Sequence, residues 1–465
     1  MNATALAFDL EDTRVSRPRL AVPTPIVTPS EDSVTGVGGV ALWGALLDRI
    51  GLVGEADRRA LRPIGPGGYG GGTCYRAVVE TQLAGGDFLS DRSLLADEAT
   101  LRLRGPHPLP SHTTLWRFCA GADLGRVAKA AAVNRAMLRR AWAMGAGPTG
   151  DVLTVDADAT LVPTYGPDKE GSTFTYRREG VALSPMMGIC GETGDVLALR
   201  ARGGNANAGR ALGTFLDECV AAIPAAVRER TRLWFRLDSA GYQKDVVEAA
   251  ERHGADFTIT ARNFTNVVAA MHELALDPAT TWAPAQGSEQ ERGSEVAETT
   301  FAFAGRTLRL IVRRLPRRTG EQLSFDDLDG WHLRALITNI AVEAGSAVSV
   351  EHHHRLRGGV PEETIRQLKE DFGLNHAPLE SFFGNWLWWQ ASALAYNTGR
   401  WLRVLALPSS FATCRGKRLR LAFLNVAARV VWSGRRLHLR LPRAYPHAAA
   451  FVAAIARLSR LPAFA

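Results

Sequence analysis

The amino-acid sequence predicts an α/β protein whose core is preceded by a helical region and followed by a basic segment. Helical periodicity dominates up to residue 146, strand-like and helix-like segments alternate from residue 151, and no acidic residue follows Glu380. The chain has 465 residues, of which 46% are hydrophobic and 22% charged. This ordinary globular composition excludes a wholly disordered or fibrous chain, and the length predicts more than one domain.

The N-terminal part divides into a tail and a helical region. Residues 1–38 hold Pro, Thr, Ser and Gly without sustained periodicity and are predicted to form a flexible tail. Residues 39–146 contain three segments with the apolar spacing of helices: ALWGALLDRIGLV, CYRAVVETQLAG and GRVAKAAAVNRAMLRRAWAMG. Ser111 is a candidate N-cap for a shorter helix. A helix-turn-helix around Ser111 is the alternative to a plain helical bundle.

The core is predicted over residues 147–410. Strand-like and helix-like segments follow one another in the order strand, strand, strand, helix, strand, helix, strand: 152–162, 186–190, 196–203, 209–223, 233–239, 243–253 and 256–262. Residues 264–335 contain polar loops and short strands, such as RTLRLIVRRL at 306–315, and we predict a β-rich insertion there. A further strand at 335–340 and a helix at 361–373 complete the core.

The C-terminal segment, residues 411–465, is basic. From Arg400 to the last residue the chain has 13 Lys and Arg and no Asp or Glu, within a formal net charge of +8 for the whole chain. Arginine-rich coding would raise the arginine content everywhere but would not remove acids from 85 consecutive residues. A polyanion is therefore the predicted partner, and nucleic acid is the obvious one.

The segment RVVWSGRRLHLRL within this region predicts a hairpin that turns at Ser433-Gly434. In the returning strand, leucines alternate with basic residues. Arg436 and Arg440 therefore belong to a basic face that we predict contacts the DNA backbone, with a solvated basic strand as the alternative.

The sequence also predicts the compartment. No apolar run reaches about 18 residues, so a membrane-spanning helix is not expected. The N-terminus carries acids in place of a basic, apolar signal peptide, and we expect a cytoplasmic protein without a membrane partner. The five cysteines form no CxxC pair, and they are predicted to be small buried residues.

Acidic residues at the ends of two predicted strands suggest a metal site. Asp156 and Asp158 lie on one face of the first strand because side chains alternate with a period of two, and Asp238 ends the fourth strand. A carboxylate on an apolar sheet is costly unless it is paired or binds a cation. Two such carboxylates, completed by a third from a helix, suit Mg²⁺ and can hold two ions about 4 Å apart.

Several motifs place the sequence near a known family. They are Asp158-Ala159-Thr160 on the first strand, Asp238-Ser239 after the fourth, Glu362 followed by Lys369 and by QLKEDFGL, and then Phe383, Asn385 and Ala395-Tyr396-Asn397. Over roughly residues 105–440 the chain resembles the DDE transposases of bacterial insertion sequences, most closely the group named insertion sequence thirteen-eighty. The resemblance implies a ribonuclease H-like mixed sheet as the catalytic core and a helical DNA-binding domain over residues 39–146.

The resemblance implies a DNA transposase that cuts and joins the terminal inverted repeats of its own element. Asp158, Asp238 and Glu362 would be the catalytic residues and the ligands of two Mg²⁺ ions, for which Mn²⁺ could substitute. Arg357 and Lys369 would bind DNA. The partners would be double-stranded terminal-repeat and target DNA, and a homodimer is expected in the DNA complex.

The sequence leaves three residue assignments open. In the family an Arg precedes the Glu by four residues, whereas Arg357 precedes Glu362 by five. Asp156 could replace Asp158, and Glu363 could replace Glu362. A helix whose packed face is formed by Ile365, Leu368 and Phe372 would place Glu362 on the flank, about 90° away, and Glu363 opposite, which favours Glu362.

Two other groups of residues have simpler interpretations. His352–His354 are expected in a polar loop before the helix, because consecutive residues rarely converge on one metal ion. Trp386, Trp388 and Trp389 are expected in the core, with stacking on a flipped DNA base as the alternative. A ribonuclease H-fold nuclease without strand transfer, or an inactive domesticated DNA-binding protein, are the alternative functions.

Overall fold

The computed structural model describes residues 33–61, 68–165, 169–175, 180–207, 209–287, 292–317, 327–328 and 330–464. The predicted flexible tail therefore lies outside the described residues up to residue 32. Its last residues do have regular structure, because a short strand, β1 (Val34–Thr35), pairs with a strand near the C-terminus. Residues 33–465 belong to one compact unit.

Helices follow β1, as the apolar spacing predicts. They are α1 (Val40–Arg49), α2 (Leu52–Arg58), α3 (Gly71–Leu83), α4 (Glu98–Leu103), α5 (His112–Ala120) and α6 (Leu124–Ala141). The predicted N-cap is confirmed, because the Ser111 hydroxyl accepts a hydrogen bond of 3.2 Å from the Thr114 amide at the start of α5. Asp123 caps α6 in the same way, at 2.7 Å from the Arg126 amide.

The core begins at β2 and alternates strands and helices as predicted. Its elements are β2 (Val152–Ala159), β3 (Val162–Pro163), β4 (Thr173–Phe174), β5 (Val181–Leu183), β6 (Met186–Cys190), β7 (Val196–Arg200), α7 (Leu212–Ala222), α8 (Ala225–Arg230), β8 (Arg232–Leu237), α9 (Lys244–His253) and β9 (Asp256–Thr260). The short strands β3, β5 and β4 form a separate small sheet.

The main sheet has a ribonuclease H-like core. Its strands β7, β6, β2, β8 and β9 are neighbours in that order; the pairs among β7, β6 and β2 are antiparallel, and β8 and β9 continue parallel to β2. Helices α7, α8 and α9 connect the parallel strands, as parallel pairing requires. The predicted mixed-sheet fold is thereby confirmed.

Residues 264–335 extend this sheet. They contain α10 (Thr265–Leu276), β10 (Ala283–Pro284), β11 (Glu295–Phe303) and β12 (Arg306–Pro316), and lead into β13 (Trp331–Thr338), which pairs with β9. The strand predicted at 306–315 is confirmed by β12, whereas the sequence analysis misses α10 and the length of β11. Helix α10 buries only Val267, Val268 and Met271, too few apolar residues for a clear period.

Five helices and a hairpin complete the described part of the chain after β13. They are α11 (Ala347–Arg355), α12 (Val360–Asp371), α13 (Phe382–Leu405), α14 (Gly416–Phe423), β14 (Ala428–Ser433), β15 (Arg436–Arg440) and α15 (Ala448–Arg460). The loop expected at His352–His354 is wrong, because these residues lie in α11. The Ser346 hydroxyl caps α11, and that signal was overlooked in the sequence.

Helix α13 is the central support of the fold. Trp388 and Trp389 are fully buried, as predicted, whereas Trp386 is only partly buried against the core. Asn397 accepts a hydrogen bond from the Val196 amide and donates one to the Val196 carbonyl, each 2.9 Å, so it fixes β7 on the helix. Gln390 accepts from Asn134 at 3.0 Å and joins α13 to α6.

A buried aspartate joins three parts of the chain. Asp195, in the turn between β6 and β7, is completely buried. It accepts hydrogen bonds from the indole of Trp142 (2.6 Å) and from the indole of Trp401 (3.0 Å), and Arg400 lies 3.3 Å away. The N-terminal helices, the sheet and α13 are therefore joined at one charged group. Its hydrogen bonds and its ion pair with Arg400 offset the free energy of burying the carboxylate.

The predicted hairpin is confirmed, but its turn lies one residue later than the predicted Ser433-Gly434, because Ser433 is still paired with Arg436. Strands β14 and β15 are antiparallel, and Gly434 and Arg435 both have positive φ, as a two-residue turn of this kind requires. Leu437 and Leu439 line a cavity of about 450 Å³, although Leu437 is itself 36% exposed, and Arg436 and Arg440 are exposed. Four of the five cysteines are buried, as predicted: Cys74, Cys119, Cys190 and Cys219.

Candidate active site

Parallel pairing of β2 and β8 brings two carboxylates to the same edge of the sheet. Ala157 is paired with Leu237, so Asp158 and Asp238 are the next residues of neighbouring strands. Asp158 is the last but one residue of β2, and the Asp238 carboxylate accepts a hydrogen bond of 2.9 Å from the Ala240 amide in the turn after β8. Both side chains line one narrow cleft. The structure therefore brings together two of the three predicted catalytic residues.

The electrostatics of Asp158 reflect this pairing. Burial raises the pKa of the Asp158 carboxyl, the nearby negative charge of Asp238 adds to that rise, and the Arg357 guanidinium opposes it. Two acids that repel each other at the end of a sheet are unfavourable unless a positive charge lies between or beside them. This arrangement fits a cation site.

Glu362 lies on the wall of a larger cavity that also contains Asp158. The cavity has a volume of about 500 Å³, and its other lining residues include Thr160, Ile365 and Lys369. Glu362 is exposed on the first turn of α12. The third predicted catalytic residue therefore opens into the same space as the first.

The predicted packed face of α12 is confirmed in part. Leu368 and Phe372 are buried and Ile365 packs partly against the core. The buried face is nevertheless wider and turned toward the polar side of the helix, since Pro361, Thr364, Gln367 and Asp371 are buried as well. The cause is that polar side chains on this face are satisfied by distant partners. One example is Thr364, whose hydroxyl lies 3.0 Å from the Tyr396 hydroxyl of α13.

Glu363 points to other partners. Its carboxylate pairs with Arg366, accepts a hydrogen bond of 2.9 Å from Gln367 and lies 3.3 Å from Arg415. It therefore lies on the flank of the packed face, while Glu362 lies nearly opposite that face and borders the cavity. These contacts favour Glu362 over Glu363 as the acid directed at Asp158.

Two predicted DNA-binding residues also lie at this site. Arg357 donates a hydrogen bond of 3.1 Å to Oδ2 of Asp158, so it contacts the candidate catalytic carboxylate itself. Lys369 donates to the Leu161 carbonyl at 3.1 Å, and partial burial lowers the pKa of its ammonium group. The other two, Arg436 and Arg440, lie in β15, which belongs to a different sheet.

Asp156 is held by a partner that the sequence analysis missed. Arg236 pairs with it through two hydrogen bonds of 2.7 and 2.8 Å, and both side chains are almost completely buried. The two residues are paired across β2 and β8, two positions before Asp158 and Asp238. The sequence contains a signal for this pair. Asp156 precedes Asp158 by two residues, and Arg236 precedes Asp238 by two, so residues of opposite charge occupy equivalent positions on the two strands.

The histidines of α11 lie beneath this site but do not converge. His353 lies 3.2 Å from the Thr154 hydroxyl on β2, and His354 lies 2.9 Å from the Thr260 hydroxyl on β9. Burial lowers the pKa of His353 to about 4 and that of His354 to about 3, with nearby arginines adding to the effect. These side chains therefore connect α11 to two strands as neutral groups.

The three carboxylates do not yet form one compact ligand set. Among the residues that the structure describes, no group of three His, Cys, Asp or Glu side chains lies close enough to hold a metal ion. Asp158 and Asp238 share one cleft, whereas Asp158 and Glu362 share the larger cavity. The donors are nevertheless hard oxygens, which is the chemistry that Mg²⁺ requires.

Fold and site together define a ribonuclease H-like protein with an acidic candidate active site. Residues 70–463 match the family model described as "Transposase DDE domain group 1". Because this match covers well over half of the chain, the protein belongs to this family of DDE transposases, enzymes that cleave and join DNA and generally use divalent metal ions.

Comparison with solved structures finds similar chains, and comparison with curated sequences finds none. The chain is similar to the piggyBac transposase in a cryo-EM structure of its synaptic complex with hairpin DNA, with 12% sequence identity and a TM-score of 0.42. The similarity covers 84% of this chain and 81% of that chain. No curated protein matches the sequence. Within the described residues, no helix has the length and apolar character needed to span a membrane.

Asp156 and Asp158 should differ sharply in their effect on stability. Replacing Asp156 by Ala leaves the buried Arg236 without its counter-charge, and we expect the free energy of unfolding to fall by about 3–5 kcal/mol. Asp158→Ala, tested without added metal, removes a partly exposed pair and the repulsion from Asp238, so the change should stay within about 1 kcal/mol. Urea denaturation measures both, and equal losses would contradict the structural role of Asp156.

Proposed function

We propose that the protein is the transposase of a bacterial insertion sequence, from the group named insertion sequence thirteen-eighty. It binds the terminal inverted repeats of its own element, cuts there and joins the released 3′-hydroxyl to target DNA. The observation that carries the proposal is the position of Asp158 and Asp238 at the ends of adjacent parallel strands, with Glu362 on the cavity that contains Asp158. Such an enzyme works in the cytoplasm, on nucleoid DNA.

Asp158, Asp238 and Glu362 are the proposed ligands of two Mg²⁺ ions, with Mn²⁺ as a substitute. When bound, the ions activate the attacking oxygen and stabilise the leaving oxygen of the phosphodiester. The chain itself positions the donors. The Ala159 amide holds Oδ1 of Asp158 at 2.7 Å, and the Ala240 amide holds the Asp238 carboxylate. Contacts of α12 with α13 keep Glu362 facing the cavity.

The basic residues are proposed to bind the DNA backbone. Lys369 borders the cavity of Asp158 and Glu362, where a phosphate of the cut strand would lie. Arg357 is proposed to contribute a second cationic group there. Arg436 and Arg440 are exposed on the acid-free C-terminal segment, and phosphate contacts from that segment would fix the orientation of the duplex. The active assembly is proposed to be a homodimer on two DNA ends.

Carboxamide variants test the catalytic assignment. Asp158→Asn, Asp238→Asn and Glu362→Gln should each reduce cleavage of a DNA carrying the element's terminal repeats by more than about 100-fold, because each removes a metal ligand. Binding of the same DNA, measured by fluorescence anisotropy, should persist. Glu363→Gln is the matched control and should keep most of the activity, since Glu363 pairs with Arg366 and Arg415.

The same assay separates the alternative functions. Cleavage without joining to a target duplex would indicate a nuclease, and binding without either reaction would indicate a DNA-binding protein that has lost activity. If Glu363→Gln lost activity and Glu362→Gln retained it, the assignment of the third acid would be overturned.

The salt dependence of binding tests the basic hairpin. Each neutralised phosphate contributes a log–log slope of about −0.9, so the double variant Arg436→Ala/Arg440→Ala should flatten the slope by up to about two units. It should weaken specific and nonspecific DNA alike. The control is Arg252→Ala/Arg306→Ala, which removes two arginines that are already paired with Asp217 and Glu251. An unchanged slope in the hairpin variant would reduce β15 to a solvated surface.

A further inference from the structure

We infer that Arg357 is an exchangeable counter-ion, which holds the Asp158 carboxylate until a divalent cation replaces it. This inference rests on the proposed function, because it assumes that Asp158 is a metal ligand. It assigns Arg357 a role at the carboxylate itself, in addition to any contact with DNA. Three observations support this role: Arg357 binds Oδ2 of Asp158, it does so through a single hydrogen bond, and the turn that carries it adjoins Glu362.

Arg357 occupies the one oxygen of Asp158 that the backbone leaves available. Oδ1 of Asp158 accepts a hydrogen bond of 2.7 Å from the Ala159 amide. Oδ2 accepts a hydrogen bond of 3.1 Å from Nη1 of Arg357. Because Oδ2 has no backbone partner, we expect a cation that binds this carboxylate from the cavity to bind through Oδ2. The guanidinium and the cation therefore compete for the same atom.

Arg357 is held less firmly than Arg236, the buried arginine of the neighbouring pair. Within the described part of the chain, its hydrogen-bonding partner is Asp158 alone, through a single bond. Arg236, by contrast, makes two bonds to Asp156 and a third to the His353 carbonyl. The side chains of Arg357 and Asp158 are 22% and 29% exposed, so water reaches the pair and weakens it. Such a contact can be exchanged at low cost.

The turn that carries Arg357 also adjoins Glu362. Arg357 lies in a short 3-10 turn, Leu356–Gly358, between α11 and α12. A Cβ atom at Gly358 would lie 3.7 Å from Oε1 of Glu362, so this turn lies beside both acids. Gly358 and Gly359 separate Arg357 from α12 and can reorient without a side-chain clash. Release of Arg357 would leave its charge near the cavity, available to a DNA phosphate.

Competition for Oδ2 has a measurable consequence. Removing the guanidinium should make the metal-free protein bind a divalent cation more tightly, because the cation no longer displaces a partner. A partly exposed ion pair of this kind corresponds to an increase in affinity of about fivefold. General loss of a positive charge near the site would also raise the affinity, so the control must remove an equal charge that does not contact Asp158.

The experiment is a Mn²⁺ titration of the full chain without DNA, in which free Mn²⁺ is measured by electron paramagnetic resonance. Arg357→Ala is compared with the native chain, and Arg357→Gln serves as a second variant in case the first folds poorly. Arg366→Ala is the matched control, since Arg366 lines the same cavity but pairs with Glu363. Asp158→Asn tests whether the titrated site is the proposed one.

The inference predicts about fivefold tighter Mn²⁺ binding by both Arg357 variants and less than about twofold change for Arg366→Ala. Equal effects of the Arg357 and Arg366 variants would overturn it, because charge alone would then explain the result. Arg357 variants that bind Mn²⁺ with the affinity of the native chain would also overturn it. Absence of Mn²⁺ binding in the native chain and in all variants would do the same. If Asp158→Asn binds Mn²⁺ as the native chain does, the metal site of the proposed function fails as well, which distinguishes the two failures.

Discussion

The register of two neighbouring strands is the constraint on which the candidate site depends. Asp156 of β2 is paired with Arg236 of β8, and both are buried. A shift of one residue would turn every side chain of a strand to the other face and leave two buried charges without partners. The ion pair therefore specifies the register, and the register places Asp158 beside Asp238.

The third acid reaches the same space through a longer series of contacts. Asn397 fixes β7 on α13, and Tyr396 of α13 contacts Thr364 of α12. Helix α12 then presents Glu362 to the cavity that contains Asp158. The first two steps are specific polar contacts between buried groups, so the position of α12, and with it that of Glu362, depends on the core.

Much of the ribonuclease H-like core could be predicted because its signals are local. The strands around Asp158 and Asp238 are short apolar runs with regular alternation, and the helices between them have clear amphipathic spacing. In the extension of the sheet, β12 and the end of β13 match the strands predicted at 306–315 and 335–340. Strand β11 could not be read in this way, since its apolar residues are interleaved with glutamates that pair with arginines of β12. One such pair is Arg314 with Glu295.

The candidate site was predicted in part from the sequence, and the errors in that prediction have one physical cause. The positions of the acids at strand ends could be read from the sequence. The sequence does not show which polar side chains are buried, because their hydrogen-bonding partners are distant in the chain. Gln367 accepts a hydrogen bond from the Gly416 amide, and Asp371 accepts one from the Lys417 amide. Helix α12 therefore buries a polar face that hydrophobic periodicity assigns to solvent. Arg236 was missed for the same reason, although its spacing from Asp238 mirrors that of Asp156 from Asp158.

Metal-directed cleavage of the polypeptide tests the central claim most directly. Fe²⁺ bound in place of Mg²⁺, with ascorbate and peroxide, generates hydroxyl radicals that cut the backbone near the ion, and mass spectrometry maps the cuts. The account predicts cuts near Asp158, Asp238 and the segment 357–362, suppressed by excess Mg²⁺. Cuts confined to other acidic or histidine-containing surfaces, such as the one formed by Asp217 and His253, would contradict it.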